Sequence, residues 1–238
     1  MKTLEQVKVK IFADGADLGG ILELYKNPYI KGFTTNPTLM QKSGISDYEK
    51  FAREVLVHIS DRPISFEVFS DEFDEMERQA RKIASWGKNV YVKIPVTNTR
   101  RESSAKLVRR LASEGVQLNV TALMTLEQVR EISKVLENNA PSYISVFAGR
   151  IADTGRDPMP LMKEAVEIMS PYQTQESIWA SPRELLNIFH ADEVDCHVIT
   201  VTHDILKKLA LVGKALDEYS LDTVKMFHSD AQKAGFQI

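Results

Sequence analysis

The sequence predicts a single (β/α)8 barrel, the TIM-barrel fold, with a helical tail at its C-terminal end. Eight short apolar segments recur along the 238 residues, and amphipathic helical patterns separate most of them. Segments that are apolar throughout are typical of parallel strands buried on both faces. Eight such strands in a chain of this length fit the barrel. A doubly wound sheet is the alternative, but neither of the two glycine motifs for nucleotide phosphates follows a strand.

The predicted strands are rich in β-branched and aromatic residues. In chain order they cover residues 7–13, 30–34, 64–68, 90–96, 117–121, 143–147, 177–180 and 198–201. In a barrel of parallel strands, the carboxyl ends all lie on one face, and that face carries the active site.

The predicted helices show apolar residues at helical spacing. They cover residues 71–86, 103–114, 126–138, 158–169, 182–189, 203–216 and 223–234. Gly115 is suited to a C-terminal cap, and Pro158 and Pro182 are suited to first turns. We therefore expect one domain over residues 1–238, with a helical tail from about residue 221 to residue 238.

Composition excludes several partners. The formal net charge is −3, from 30 basic and 33 acidic residues, and no run of five or six like charges occurs. We therefore expect no nucleic-acid partner. No segment approaches the ~20 apolar residues of a membrane span, and no signal peptide is expected. Cys196 is the only cysteine, so an internal disulfide is excluded and a cytoplasmic location is expected.

Polar residues interrupt or follow nearly every predicted strand near its carboxyl end. Burying any one of them without a partner would cost a few kcal/mol, so their convergence on one face predicts a functional site. The candidates are Asp14, Thr34, Asn36, Glu67, Lys93, Asn119, Thr121, Ser145, Arg150, Ser181 and Arg183.

Lys93 is the most informative candidate, because its segment is otherwise as apolar as any in the chain. It is either a surface lysine on an edge strand or a desolvated amine that attacks a carbonyl. Glu67 is either paired with a surface base or placed to move protons beside that lysine. Asp14 is either the N-cap of the next helix or part of the site.

Arg150, Ser181 and Arg183 also allow two interpretations. They could be a helix cap and two surface arginines. Together they could instead form an anion site of two guanidinium groups, a hydroxyl and a helix N-terminus. Barrel enzymes often bind phosphate near their seventh and eighth strands.

Five motifs follow one another in the order and at the spacing of the transaldolase family, which the chain resembles over residues 10–211. They are Thr-Thr-Asn-Pro-Thr-Leu at 34–39, Val-Lys-Ile-Pro at 92–95, Leu-Asn-Val-Thr at 118–121, Ile-Ser-Val-Phe-Ala-Gly-Arg at 144–150 and Ala-Ser-Pro-Arg at 180–183. Each motif alone is modest, but the ordered set is specific.

The resemblance implies a role for each candidate residue. Lys93 would form a Schiff base with the donor ketose, Asp14 would exchange the proton of the C4 hydroxyl, and Glu67 would act through a water held by Thr121. The hydroxyls of the dihydroxyacetone unit would be bound by Asn36, Asn119 and Ser145, and Thr34 would line the same site. The sugar phosphate would be bound by Arg150, Ser181 and Arg183. A protonated imine is itself an electron sink, so neither a metal nor an organic cofactor is expected.

Two positions distinguish transaldolases from the related fructose-6-phosphate aldolases, which resemble them closely. The aldolases have glutamine in place of Glu67 and tyrosine in place of Phe147. The pair found here therefore implies transfer to an aldehyde instead of release of dihydroxyacetone. The chain departs from the usual family pattern at Gly15, Val146 and Pro182, which leaves the sugar acceptor open.

The resemblance thus implies a cytoplasmic transaldolase of carbohydrate metabolism, as in the pentose phosphate pathway, acting on phosphorylated sugars. Short family members form pentamers or decamers through a C-terminal helix, so a homo-oligomer is expected. Three alternatives stay open: an aldolase that releases dihydroxyacetone, a biosynthetic transaldolase with an unusual acceptor, and a barrel that binds sugar phosphate without catalysis.

Overall fold

The computed structural model describes residues 2–237. Its centre is a closed barrel of eight strands in sequence order, each parallel to its neighbours, with β8 pairing back to β1. The predicted (β/α)8 barrel is therefore confirmed, and the doubly wound alternative is wrong. The strands are β1 (Lys10–Asp14), β2 (Ile30–Thr34), β3 (Ile64–Glu67), β4 (Val90–Pro95), β5 (Leu118–Leu123), β6 (Ser142–Val146), β7 (Gln175–Trp179) and β8 (Val198–Thr202).

Helices connect the successive strands and continue beyond the last one. They are α1 (Leu18–Tyr25), α2 (Pro37–Lys42), α3 (Tyr48–His58), α4 (Phe73–Ala84), α5 (Ala105–Ser113), α6 (Leu126–Leu136), α7 (Ala148–Ala152), α8 (Met159–Met169), α9 (Leu186–Glu193), α10 (His203–Leu206) and α11 (Leu216–Ala234). Two short 3₁₀ turns cover Leu4–Gln6 and Lys207–Leu211.

Four helices are absent from the prediction: α1, α2, α3 and α7. Helix α1 contains Gly19 and Gly20, which have low helix propensity and no side chains to show a periodic pattern. Helices α2 and α7 have only six and five residues, too few for such a pattern. The sequence of α3 does contain features that predict a helix: Asp47 caps its N-terminus, and Phe51 and Val55 lie one turn apart.

The end of the chain also differs from the prediction. A single helix over residues 203–216 is wrong, because α10 has four residues, a 3₁₀ turn follows it, and Gly213 has a left-handed backbone with φ +81°. The tail helix α11 begins earlier than predicted, at Leu216. Pro182 does not lie in a first turn, since α9 begins at Leu186. Met1 and Ile238, the ends of the predicted domain, lie outside the described residues.

An aromatic layer fills the amino-terminal end of the barrel interior. The Phe12 and Tyr143 rings meet edge to face at 5.6 Å, and Tyr91 lies 4.4 Å from Tyr143. Gly32 leaves room for this layer, since a Cβ there would lie 2.6 Å from the Phe12 ring. Side chains of a strand alternate between its faces, so the residues two positions further along also point inward. This second layer is nearer the carboxyl ends and consists of Asp14, Thr34, Lys93 and Ser145 with Thr200 of β8.

No helix within residues 2–237 combines the length and the apolarity needed to cross a lipid bilayer. Within the same residues, no three His, Cys, Asp or Glu side chains are grouped so that they could hold a metal ion.

Candidate active site

A cavity of about 580 Å³ lies at the carboxyl ends of the strands. All the candidates that the sequence suggests line it: Asp14, Thr34, Asn36, Glu67, Lys93, Asn119, Thr121, Ser145, Phe147, Arg150, Ser181 and Arg183. They come from strands β1 to β7 and the segments that follow them. Parallel strands thus bring residues that are distant in sequence to one face.

Lys93 lies on β4 inside the barrel and is only 7% exposed. Its Nζ donates a hydrogen bond to the Thr35 carbonyl (2.8 Å) and lies 3.1 Å from Glu67 Oε2. The surface-lysine alternative is therefore wrong, and so is the pairing of Glu67 with a surface base. An amine in this position has a carboxylate within reach of its protons, which carbonyl addition requires.

Asp14 is the last residue of β1 and lines the same cavity as Lys93 and Glu67. Its Oδ1 accepts a hydrogen bond from Thr34 Oγ1 (2.8 Å), and its Oδ2 accepts one from Asn36 Nδ2 (3.3 Å). Burial raises the pKa of the Asp14 carboxyl, against the opposing effects of the Lys93 charge and these hydrogen bonds. The N-cap of α1 is Asp17 and not Asp14. The carboxyl group of Asp14 thus lies at the cavity, held by Thr34 and Asn36, and does not cap the helix.

Three polar side chains, of which Asn119 and Ser145 line the cavity, are joined by hydrogen bonds. Ser145 Oγ donates to Asn119 Oδ1 (2.7 Å), and Asn119 Nδ2 donates to Ser65 Oγ (3.0 Å). Thr121 Oγ1 is buried and has no hydrogen-bond partner among residues 2–237. A buried hydroxyl without a partner is costly, so this cavity-lining atom is suited to hold a water or a substrate oxygen.

Two arginines also line the cavity. Arg183 Nη1 donates to Ser181 Oγ (3.0 Å), while its Nε donates to Asp153 Oδ1 (2.8 Å) and its Nη2 donates to Asp153 Oδ2. Asp153 is not among the residues that line the cavity, and its two bonds fix the orientation of the Arg183 guanidinium. The Arg150 guanidinium lies 5.7 Å above the Phe147 ring. Both arginines are exposed, as the surface alternative expects, but they face the same cavity.

Gly149 brings the two arginine-bearing segments together. Its N–H donates to the Ala180 carbonyl (3.3 Å), and a Cβ at this position would lie 1.6 Å from the Ser181 carbonyl oxygen. Ser181 itself has a left-handed backbone, with φ +60°. The expected helix N-terminus and helix cap at Ser181 are wrong, because α9 begins five residues later.

The sequence analysis missed three contributors to the site. Thr200 lines the cavity and shares a short hydrogen bond with Thr34 Oγ1, and its place in an apolar strand is a signal that could have identified it. Lys42 lines the cavity from α2. The third is Tyr48, whose hydroxyl bonds to the backbone of Glu67 and not to a site side chain, so no sequence pattern indicates it.

The chain matches the family model described as Transaldolase/Fructose-6-phosphate aldolase over residues 11–238. It is 32% identical over 231 residues to a probable transaldolase of Thermoanaerobacter sp. (strain X514), covering 97% of this chain and 100% of that one. It is 33% identical over 231 residues to probable transaldolase 2 of Listeria monocytogenes, covering 95% of this chain and 100% of the relative.

Solved structures with low sequence identity share the fold alone. Dihydrodipicolinate synthase from Rhodopseudomonas palustris aligns with a TM-score of 0.57 at 14% identity, over 97% of this chain and 81% of that one. A 2,3-dimethylmalate lyase aligns with a TM-score of 0.54 at 12% identity, over 98% of this chain and 86% of that one. The family model and the relatives are more informative, and they show that the chain belongs to the transaldolase/fructose-6-phosphate aldolase family of enzymes.

Proposed function

We propose that the enzyme transfers a dihydroxyacetone unit from a ketose phosphate, fructose 6-phosphate or sedoheptulose 7-phosphate, to an aldose phosphate. The unit would be carried as a Schiff base on Lys93. One observation carries the proposal: a buried Lys93 amine lies 3.1 Å from the Glu67 carboxylate, in the cavity that Asp14 also lines. A protein that only bound sugar phosphate would need the arginines but not this buried amine.

The first step joins donor and enzyme. The neutral Lys93 amine attacks the C2 carbonyl of the ketose and forms a C–N bond. One nitrogen proton passes to the C2 oxygen, and Glu67 adds a second, the proton that it took from the Lys93 ammonium to make the amine neutral. The C2 oxygen then leaves as water, and a protonated imine remains. The Thr121 hydroxyl, which has no hydrogen-bond partner within the described part of the chain, would hold the water that relays these protons.

The second step breaks the C3–C4 bond of the donor. Its electron pair moves toward the protonated imine, which becomes an enamine, while Asp14 takes the proton of the C4 hydroxyl and an aldose phosphate leaves. The raised pKa of Asp14 favours holding that proton. The enamine then attacks the acceptor aldehyde, Asp14 protonates the new alkoxide, and water hydrolyses the imine to free the product and Lys93.

The remaining residues would bind the two parts of the substrate. Hydroxyls of the dihydroxyacetone unit would contact Asn36, Asn119 and Ser145, with Thr34 beside them. The phosphate would lie at Arg150, Ser181 and Arg183, since paired guanidinium groups and a hydroxyl match its oxygens. No step in this sequence uses a metal or an organic cofactor.

Transfer is favoured over release by Phe147, which borders the cavity and has no hydroxyl to position water against the enamine. Release of free dihydroxyacetone is the alternative function. Transfer to an unusual acceptor in a biosynthetic pathway is a variant of the proposed transferase function. We place the reaction in cytoplasmic carbohydrate metabolism, as in the pentose phosphate pathway, and infer a homo-oligomer such as a pentamer or decamer.

Borohydride reduction in the presence of fructose 6-phosphate tests the Schiff base. We expect a mass increase of one reduced dihydroxyacetone unit on the peptide that contains Lys93, and neither label nor activity in Lys93→Ala. Lys42→Ala is a matched control, because Lys42 also lines the cavity but should leave the label on Lys93. A label on any other lysine would overturn the proposal.

An assay for free dihydroxyacetone, run with and without an acceptor, separates transfer from release. With fructose 6-phosphate alone we expect little dihydroxyacetone, and added erythrose 4-phosphate should accelerate formation of glyceraldehyde 3-phosphate. The double variant Phe147→Tyr/Glu67→Gln should shift the products toward free dihydroxyacetone. Rapid release by the unmodified enzyme without any acceptor would favour the aldolase alternative.

A further inference from the structure

The hydrogen-bond ladder between β2 and β3 stops just below the active site. The Phe33 N–H donates to the Pro63 carbonyl (2.9 Å), and the Thr35 N–H donates to the Ser65 carbonyl (3.1 Å). The next hydrogen bond of this ladder would run from the N–H of residue 37 to the Glu67 carbonyl. Residue 37 is a proline, which has no N–H to donate. The Glu67 carbonyl therefore has no partner in the sheet on this side.

The ladder is interrupted in the other direction as well. Its next bond would run from the Glu67 N–H to the Thr35 carbonyl. That carbonyl instead accepts the hydrogen bond of Lys93 Nζ at 2.8 Å. One hydrogen bond of the sheet is thus replaced by the bond that orients the Lys93 amine. The N–H and the carbonyl of Glu67 both need a partner outside the sheet.

Tyr48 supplies that partner with a single atom. Its hydroxyl oxygen accepts from the Glu67 N–H (2.7 Å) and donates to the Glu67 carbonyl (3.1 Å). The Tyr48 ring is packed edge-on against Phe69 at 4.5 Å and against Trp86 at 5.7 Å. Burial raises the pKa of Tyr48 above its ordinary value of 10.0, so the hydroxyl keeps the proton that it donates.

We propose that Tyr48 is a positioning residue for the Glu67–Lys93 pair. Its hydroxyl replaces the missing sheet neighbour at the end of β3 and leaves the Thr35 carbonyl available to Lys93. Without this hydroxyl, the Glu67 N–H would compete with Lys93 Nζ for the Thr35 carbonyl, and both reacting groups would move. The inference rests on the proposed Schiff-base chemistry, because it assigns Tyr48 to the step that forms and hydrolyses the imine.

Tyr48→Phe tests the inference, because it removes the hydroxyl and keeps the packed ring. We expect kcat and the rate of borohydride-trappable imine formation to fall together by about tenfold, since small displacements of reacting groups have effects of this size or larger. KM for the phosphorylated substrates should stay within about twofold of its normal value. Tyr25→Phe is the matched control: its hydroxyl donates to Asp61 at 2.8 Å on the surface, and both rates should be unchanged.

A double-variant cycle separates positioning from general destabilisation. In a Glu67→Gln background, adding Tyr48→Phe should reduce kcat by much less than it does in the unmodified enzyme, because the carboxylate that it positions is already gone. Far-UV circular dichroism would verify that each variant is folded. An unchanged kcat, or equal losses in both backgrounds, would overturn the inference. Absence of any label on Lys93 in the unmodified enzyme would instead overturn the proposed function.

Discussion

Asp14 links the proposed proton transfer to the stability of the fold. Burial raises its pKa above the ordinary 3.8, so the folded chain holds this proton more tightly than the unfolded chain does. Its contribution to stability is fully present below about pH 4 and is lost as the pH rises through the raised, folded-state value. Ionised Asp14 therefore destabilises the fold, although the proposed proton transfer requires this ionised form.

The first prediction concerns Asp14→Asn, which removes this ionisation. The free energy of unfolding of the variant, relative to the unmodified enzyme, should increase as the pH rises from about 4 through the raised pKa of Asp14, while cleavage of the donor is lost. Urea denaturation at several pH values measures the difference. Asp204→Asn is a control, because that side chain is 93% exposed and its effect should not change with pH in this way. A stability difference between Asp14→Asn and the unmodified enzyme that stays constant at all the pH values tested would contradict the raised pKa of Asp14.

Arg183 and Arg150 lead to a second prediction. A charge-assisted hydrogen bond contributes about 1.5–3 kcal/mol, so Arg183→Ala or Arg150→Ala should raise KM for phosphorylated substrates by roughly tenfold or more. Reaction with aldehydes that carry no phosphate should change little, and steady-state kinetics on both substrate types measures the contrast. Arg130→Ala, which removes an exposed pair with Glu164, should affect neither. Equal losses on both substrate types would indicate a structural role.

The candidate residues could be read from the sequence because their polarity conflicts with their apolar surroundings. Lys93 and Glu67 stand out in segments that are otherwise buried, and their side chains do line the cavity, although their roles stay predictions. The supporting contacts could not be read in this way. The Thr35 carbonyl that orients Lys93 is a backbone atom, and Tyr48 acts on the backbone of a residue 19 positions away.

Among the elements, the strands were predicted far better than the helices. Most strand residues are apolar on both faces, since helices cover the outer side of the barrel, and this composition is visible in four to six residues. A helix needs several turns before its periodicity is visible, so short helices such as α2 and α7 were missed. Capping by Gly115 was predicted correctly, since α5 ends at Ser113 and Gly115 has φ +84°.

The contact between the β6–α7 segment and the end of β7 gives a third prediction. In Gly149→Ala, the new Cβ would overlap the Ser181 carbonyl oxygen, so the two segments must separate at a cost of about 1–3 kcal/mol or more. The melting temperature should fall by about 2–4 °C for each kcal/mol lost, and KM for phosphorylated substrates should rise because Arg150 and Arg183 move apart.

Gly15→Ala is the matched control for this change. A Cβ at Gly15 would meet no atom within 4 Å, and its φ is not in the left-handed range. Calorimetry should therefore show little change in stability for Gly15→Ala. A Gly149→Ala variant that melts at the normal temperature with a normal KM would show that this close approach is not needed.

At the scale of the whole molecule, α11 packs little against the rest of residues 2–237. None of its 19 residues is buried. Large apolar side chains are exposed along it, including Leu216, Leu221, Val224, Met226 and Phe227. Exposed apolar surface of this kind typically marks a contact between proteins, and a helix is stabilised mainly by packing of its apolar face.

The fourth prediction is that α11 holds together the inferred homo-oligomer. Val224→Glu combined with Phe227→Glu should reduce the mass measured by light scattering after size-exclusion chromatography, because a charge would be buried at the contact. Lys225→Glu, on the same helix, is the control and should preserve the assembly. A single-chain mass for the unmodified protein would refute the inferred oligomer, and an unchanged mass in the double variant would exclude α11 as the contact.

Barrel closure has a consequence for how quickly the enzyme becomes active after synthesis. The last strand to be made, β8, completes the ring by pairing with β1, and the hydrogen bond between Thr34 and Thr200 joins residues 166 positions apart. Contacts of such long range form slowly, because the chain must first lose the entropy of the intervening loop. During refolding, catalytic activity should therefore return later than the helical signal, when the ring is complete.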